Sequence, residues 1–316
     1  MDLRMTTSGY DLEPERLPVT TSDGIPLYAI RYRASTPVGT PCIILHGIAS
    51  HLGWYAPLAE ELARRGTTTI IFDRRGVARS GGPRGHMDRW QDVVEDILLV
   101  ADAAGLTQSP FHLIGISLGG LFALATSLLH RNRVGRLVLM APALKSRITI
   151  PLNRRLRVLQ RAFTDPEHLY EIPFGPETIA DRDDWRQALL ADDERTRMVS
   201  ARFLVQMYGM QKFVRRTLDR LRTPTLMLLG GKDRVIDNDA ILTMLDGLSI
   251  PVQAEVFEQA CHLMPSAIPR NEIIERVLEQ FETDCAYGGP FRVDHNGAHF
   301  ADELLPPPPP PFVRID

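Results

Sequence analysis

Leu113-Ile114-Gly115-Ile116-Ser117-Leu118-Gly119-Gly120 is the stretch that decides the reading of this chain. Phe111 to Ile116 reads as a short buried strand, and Leu118 to Leu129 reads as a helix. A G-x-S-x-G joining the two has the form of a nucleophile elbow, a tight strained turn that lifts its serine above a sheet. Gly115 and Gly119 are needed because side chains there would collide with neighbouring backbone. The N–H of Leu118 then faces any carbonyl that Ser117 attacks. A Gly-rich turn with a bystander serine would spell the same eight letters, so the rest of the chain has to decide.

A serine hydroxyl is a poor nucleophile near neutral pH. It needs a base, an acid that orients the base, and N–H donors for the oxyanion. With an elbow serine the chain order is Ser, then Asp or Glu, then His. The apolar strand Leu226 to Leu229 runs into Gly230-Gly231-Lys232-Asp233, which presents Asp233 at the end of a strand where catalytic groups of parallel sheets collect. Asp237 is the alternative, though it reads better as the N-cap of a helix starting at Asn238. A plain turn aspartate also fits Gly-Lys-Asp.

The next strand signal, around Ala254 and Val256, is followed by His262 in a loop before a helix. The chain has nine histidines. His51, His86, His130 and His168 precede Asp233, His112 lies inside the elbow strand, and His295 and His299 lie in a tail with little sign of structure. Only His262 follows both serine and acid at a strand end. An early strand, Cys42 to Leu45, opens into His46-Gly47, so the second oxyanion donor is expected to be the N–H of Ile48, with that of Leu118 as the first. His46 would pin that loop.

These residues make the chain resemble the α/β-hydrolase superfamily, and within it the monoacylglycerol lipase / lysophospholipase-like branch of serine aminopeptidase S33 type. The finer resemblance rests on His46-Gly47-Ile48-Ala49-Ser50-His51 running into Gly53-Trp54-Tyr55. It rests also on Asp73-Arg74-Arg75-Gly76-Val77-Ala78-Arg79-Ser80-Gly81-Gly82-Pro83-Arg84-Gly85-His86 and on Gly231-Lys232-Asp233-Arg234-Val235-Ile236. It spans roughly residues 15–282. Ile116 and Leu118 stand where the branch more often has His and Met, and Ala78 stands where glycine is usual. The oxyanion loop lacks the Gly-Glu of typical monoacylglycerol lipases, so the monoglyceride substrate does not transfer with the fold.

Strand and helix signals alternate from residue 42 to residue 141 after an opening hairpin at Leu17–Arg33. The expected fold class is therefore α/β, a mostly parallel sheet flanked by helices with an antiparallel N-terminal edge hairpin. The core would comprise residues 15–146 and 223–282. Between Arg147 and Arg222 the alternation stops for longer than a plain loop allows, and a helical cap over 147–222 is expected. Its first part carries Lys145, Arg147, Arg154, Arg155, Arg157 and Arg161 with no acid before Asp165. Leu152, Leu156, Leu159 and Phe163 interleave at helical spacing. Either this is a basic amphipathic face for a peripheral membrane or acyl-carrier contact, or its apolar side covers the active site. Leu204, Met207 and Met210, in a later stretch of flexible apolar side chains, are candidates for substrate binding.

Residues 283–316 form a C-terminal extension containing six consecutive prolines, Pro306 to Pro311. Such a run takes the extended polyproline II form and cannot join a sheet. It is either a disordered tail or an arm that docks on its own body, on a second subunit as a homodimer, or on a partner's aromatic groove.

Composition sets the remaining bounds. Hydrophobic residues make up 44 % and the net charge is −3, which argues against nucleic acid as a partner. Three cysteines, Cys42, Cys261 and Cys285, form no zinc or redox motif, which fits a reduced, cytoplasmic setting. No secretion signal or membrane span is read. The expected activity is hydrolysis of a lipophilic carboxylic ester, needing no metal and no organic cofactor. An acyltransferase or thioesterase using the same triad is the alternative, and a non-catalytic binding module is the third reading.

Overall fold

A computed structural model of the chain describes residues 12–282, 291–298 and 305–308. It opens with β1 (Glu15–Thr20) and β2 (Pro26–Tyr32), paired antiparallel across a short turn. Strand and helix then alternate through β3 (Cys42–Leu45), α1 (Ala56–Arg64), β4 (Thr69–Phe72), α2 (Trp90–Ala103), β5 (Phe111–Ile116), α3 (Leu118–Leu129) and β6 (Val134–Met140). An inserted segment carries α4 (Leu152–Thr164), β7 (Leu169–Glu171), α5 (Pro176–Ile179), α6 (Asp183–Ala191), β8 (Met198–Ser200) and α7 (Ala201–Thr217). The alternation resumes with β9 (Thr225–Gly230), α8 (Asn238–Leu245), β10 (Val252–Phe257), α9 (Arg270–Glu282) and β11 (Arg292–Asn296).

Nine strands form one sheet in the order β1-β2-β4-β3-β5-β6-β9-β10-β11. The β1–β2 and β2–β4 pairs are antiparallel and every other pair is parallel. Every residue of β3, β4, β5 and β9 is buried. Strands covered on both faces read as unbroken apolar runs, which is how these four were recognisable. β1, at the edge, alternates instead. The central helix α3 is buried around its whole circumference from Leu118 to Ser127. Side chains such as Leu121, Phe122 and Leu124 are fully enclosed, each worth roughly 1.5–3 kcal/mol of burial. Strand order reverses between β4-β3 and β3-β5, so the loops leaving β3 and β5 diverge and open a crevice at the carboxyl ends of the strands.

Two features of the fold depart from the reading of the sequence. The sheet does not end at β10. β11 pairs with it in parallel, from Gln253↔Arg292 to Phe257↔Asn296, and His295 therefore sits in a strand. Arg292-Val293-Asp294-His295-Asn296 has no apolar run to announce a strand. It is held by the backbone ladder and by polar pairs such as Gln253 Nε2 to Asp294 Oδ2 at 3.0 Å and His295 Nδ1 with Glu258 Oε1 at 2.7 Å. The inserted segment is also not wholly helical, since β7 and β8 form a small antiparallel sheet. Cys42 and Cys261 are free and buried. Cys285 and His299 lie outside the described residues. Among the described residues no helix is long and apolar enough to cross a membrane.

Candidate active site

Ser117 takes φ +51° and ψ −112° between the last residue of β5 and the first of α3. A non-glycine residue with positive φ is strained, and the surroundings hold it there. Its N–H donates to the Met140 carbonyl at 2.9 Å, and its own carbonyl accepts from Gly120 and Ala143, both at 3.0 Å. The flanking glycines are required by space. A Cβ at Gly119 would lie 2.0 Å from the Leu45 carbonyl oxygen, and one at Gly115 would lie 2.7 Å from the Gly119 oxygen. The first turn of α3 thus rests directly on the end of β3. Leu118 is the first helical residue, so its N–H has no partner within α3 and sits at the positive end of the helix dipole.

Asp233 and His262 meet because the end of β9 is bare. Gly230 and Gly231 let residues 258–261 cross it so closely that a Cβ on either glycine would come within 2.6 Å of a carbonyl oxygen of that segment. Lys232 N–H then donates to the Ala260 carbonyl at 2.9 Å. Asp233 Oδ1 accepts from the backbone N–H groups of Val235 and Ile236, at 2.7 and 2.8 Å. Its Oδ2 lies 2.8 Å from His262 Nδ1. One carboxylate oxygen fixes the group and the other takes the imidazole, so Nδ1 carries the proton and Nε2 keeps its lone pair. Both side chains are buried. Asp237 is occupied elsewhere, capping α8 through the Ala240 N–H at 3.3 Å.

The loop leaving β3 is pinned from below. The Arg74 N–H donates to His46 Nε2 at 3.1 Å, and His46 Nδ1 lies 2.9 Å from the Gly47 carbonyl. Arg74 Nη2 donates to the same carbonyl at 2.7 Å. Burial and the Arg74 charge push His46 well below the usual imidazole range, so it stays neutral and serves the loop. Ala78, which the branch usually replaces by glycine, adopts φ +39°. That conformation explains the glycine preference.

The inserted segment docks on this loop and on the loop after β4. The Thr196 N–H donates to the Ala49 carbonyl at 3.2 Å, and the Ser200 N–H to the Gly85 carbonyl at 2.9 Å. Asp192 Oδ2 takes the Trp54 indole N–H at 2.7 Å and lies 3.2 Å from His51 Nε2. Burial alone would raise the Asp192 carboxyl, but the His51 and Trp54 contacts outweigh it and hold it below the ordinary range.

Ser117 and His262 share the wall of a cleft of about 340 Å³, partly open to solvent. The loop after β3 contributes Gly47 and Ile48, and with Trp54 and Tyr55 it forms one side. Phe174 and Ile179 of the inserted segment form the other. Phe174 stands edge-on to the His262 ring, with centroids 6.5 Å apart and planes at 67°. Ser117, Asp233, His262, Ile48 and Leu118 are thus brought to one place. Leu204, Met207 and Met210 are not. Met210 is wholly buried in the core, Leu204 and Met207 are half-buried against it, and none of the three lines the cleft. Helical spacing reveals that α7 has an apolar face but not what the face meets, which is the core and α3. The lining residues Trp54, Tyr55, Phe174 and Ile179 were missed. The signal available for the last two was Pro173-Phe174-Gly175-Pro176, a loop marker that carries an aromatic.

Residues 37–266 match the family described as serine aminopeptidase, S33. The monoglyceride lipase of Rattus norvegicus is 25 % identical over 78 % of this chain and 83 % of its own length. The phospholipase YtpA of Bacillus subtilis is 23 % identical over 69 % of this chain and 85 % of its own. Among solved structures, the monoacylglycerol lipase of Paleococcus ferrophilus superposes with a TM-score of 0.71 at 20 % identity, covering 80 % of this chain and 97 % of that one. That likeness is one of fold. The family match begins before β3 and runs past His262, spanning the elbow and all the loops that build the cleft, and the chain belongs to the serine aminopeptidase S33 family of α/β-hydrolases.

Proposed function

We propose that the protein hydrolyses a lipophilic carboxylic ester, monoglyceride- or lysolipid-like, through an acyl-enzyme on Ser117. In this reading His262 Nε2 takes the Ser117 proton as the hydroxyl attacks the ester carbonyl. Asp233 holds the imidazolium. The Ile48 and Leu118 amides receive the oxyanion, each donor contributing on the order of 10²–10³ in rate. His262 then protonates the leaving alcohol, and water activated by the same nitrogen releases the acid. The observation that carries the reading is one shared wall: a serine held at φ +51° beside a histidine whose Nδ1 lies 2.8 Å from a buried carboxylate. The lipase and phospholipase relatives support a lipid ester as the substrate class.

Residues 147–222 act as the cap. Its helix α4 turns Val158 and Ala162 inward and leaves Leu152, Leu156, Leu159 and Phe163 exposed, the last 73 % accessible. With Arg154, Arg155, Arg157 and Arg161 on the same helix, this is the composition of a helix that lies on an anionic lipid surface, which would bring the cleft to its substrate. The expectation that this apolar stripe covers the cleft is not met.

The test is turnover of a p-nitrophenyl ester series of increasing acyl length, with Ser117→Ala alongside and fluorophosphonate labelling of both. Activity and labelling in the wild type that vanish in the variant support the reading. A wild type that neither labels nor turns over any ester overturns it. Acyl transfer to an added alcohol in preference to water would redirect it to an acyltransferase.

A further inference from the structure

The proline run is the one sequence motif that the proposed chemistry leaves unused. Its described part, Leu305 to Pro308, does not stand free. The Pro306 carbonyl accepts two hydrogen bonds, from Arg182 Nη1 at 2.9 Å and from the Trp185 indole N–H at 3.1 Å. With the segment in place Trp185 is only 3 % exposed, so its indole N–H meets the Pro306 carbonyl shielded from solvent. Pro306 and Pro307 line a second cleft with Trp54, Tyr55, Pro57 and Trp185. A proline run makes no internal hydrogen bonds, so its carbonyls are free to accept. Aromatic-lined grooves with a ring N–H donor are how extended proline segments are recognised. Preset φ angles make such docking cheap in entropy.

The groove joins two bodies. Arg182 and Trp185 belong to the inserted segment, whereas Trp54, Tyr55 and Pro57 belong to the loop after β3 and the start of α1. Trp54 and Tyr55 also line the cleft that holds Ser117 and His262. A segment seated here spans the seam on the outer side of the wall whose inner side faces the candidate nucleophile. The Asp192 contact to Trp54 closes the same seam from within.

We infer that this groove is a polyproline-binding site, that its occupant is residues 305–308 of the same chain, and that the seated segment is a strap holding α6 against the core beside the cleft. The inference goes beyond the proposed ester chemistry and does not depend on it.

Hydrogen exchange of the full-length chain tests it without any substrate. Two variants are compared with wild type. One replaces Pro306, Pro307 and Pro308 by glycine, which keeps the chain length and removes the preset backbone. The other, Trp185→Phe, keeps the ring and removes its N–H. The glycine variant is expected to raise exchange of the α6 amides roughly tenfold, the scale of the net free energy of two hydrogen bonds, and Trp185→Phe, which removes one of them, roughly fivefold, with the β5 and α3 amides unchanged. A capped Leu-Pro-Pro-Pro-Pro peptide added in trans should restore protection to the glycine variant and not to Trp185→Phe. Unchanged α6 exchange in both variants would overturn the strap. Protection in the wild type that rises with protein concentration would overturn the same-chain occupant in favour of a second copy. Protection of the glycine variant by unrelated peptides as well as by the proline peptide would overturn the recognition of proline.

Discussion

The two walls of the candidate cleft are built on different principles. The wall made by the strand ends is fixed by contacts that admit no alternative. Gly119 lies so near the Leu45 carbonyl that a methyl group would be 2.0 Å from it, and Asp233 spends one oxygen on two backbone amides. The wall made by the inserted segment is held across a seam, by backbone bonds such as Thr196 N–H to the Ala49 carbonyl and by side chains, Asp192 to Trp54 and the Arg182–Trp185 pair to Pro306. Some apolar side chains of that segment stay in solvent: Leu152 of α4 is 70 % exposed. The difference separates chemistry from choice of substrate. Positions that must be right to a fraction of an ångström sit where the backbone dictates them, and positions that select or admit a ligand sit where side chains can be exchanged.

If that division is right, the largest effects come from the first wall. Asp233→Asn keeps the shape and both backbone acceptor bonds through Oδ1, but its amide can donate to His262 Nδ1 and favour the wrong tautomer. It is expected to lower kcat by roughly 10⁴-fold with little change in KM, measured as ester turnover. A loss below tenfold would remove Asp233 from the proposed triad. Gly119→Ala is expected to destabilise the chain by more than ~3 kcal/mol, because the clash is with backbone and neither strand nor helix can yield. Denaturant unfolding checks it. A mild effect would mean that the contact between α3 and β3 is softer than the distances imply.

Why the first wall was legible in the sequence follows from the same contrast. Gly115, Ser117 and Gly119 are spaced by the turn itself, Asp233 follows an apolar strand buried on both faces, and His262 follows a strand in which apolar Ala254 and Val256 alternate with polar residues. Local rules of short range therefore carry the site. The second wall depends on what packs against what. α7 shows helical periodicity, yet nothing in Leu204, Met207 and Met210 says that their partner is the core and not the cleft. Phe174 enters the cleft from an irregular loop with no period to read. β11 was illegible for another reason, since a strand held by its ladder and by polar pairs leaves no apolar pattern. The proline run was recognisable as a motif, but its seat on Trp185 required the fold.

Asp73 lies where the two walls join and offers a pH test of the seam. Its oxygens accept from the N–H groups of Leu52 and Arg79, at 2.8 and 3.2 Å. Burial pushes its carboxyl up to about 6, against the opposing pull of His51 and these amides. A carboxyl raised on folding contributes stability at pH values below its ordinary range, and that contribution is lost as pH rises through about 6. Asp192, held below the ordinary range, has the opposite sign: its contribution is present at neutral pH and lost on acidification. The unfolding free energy of wild type minus that of Asp73→Asn is therefore expected to fall by roughly 2 kcal/mol between about pH 4 and pH 7. Parallel pH profiles for the two proteins would show that the Asp73 site is wetter than its burial implies.

The smallest effect on stability should come from the outermost part of the second wall, and there the comparison narrows to two helices of one segment. In α7, Phe203 is 4 % exposed, and Phe203→Ala is expected to cost about 3–5 kcal/mol as a core truncation does. In α4, Leu156 and Phe163 touch mainly solvent, so Leu156→Ser with Phe163→Ser should leave the unfolding free energy within about 0.5 kcal/mol of wild type. The same double change should matter at a membrane. Each apolar side chain buried in lipid is worth roughly 1.5–3 kcal/mol, and each arginine near an anionic surface about 1 kcal/mol. Co-sedimentation with phosphatidylglycerol vesicles is then expected to weaken at least tenfold in the double variant, and with added salt in the wild type, while turnover of a short water-soluble ester stays unchanged. Equal sedimentation of wild type and variant would leave α4 an exposed helix without a lipid role, and the contrast between the two helices would be one of packing alone.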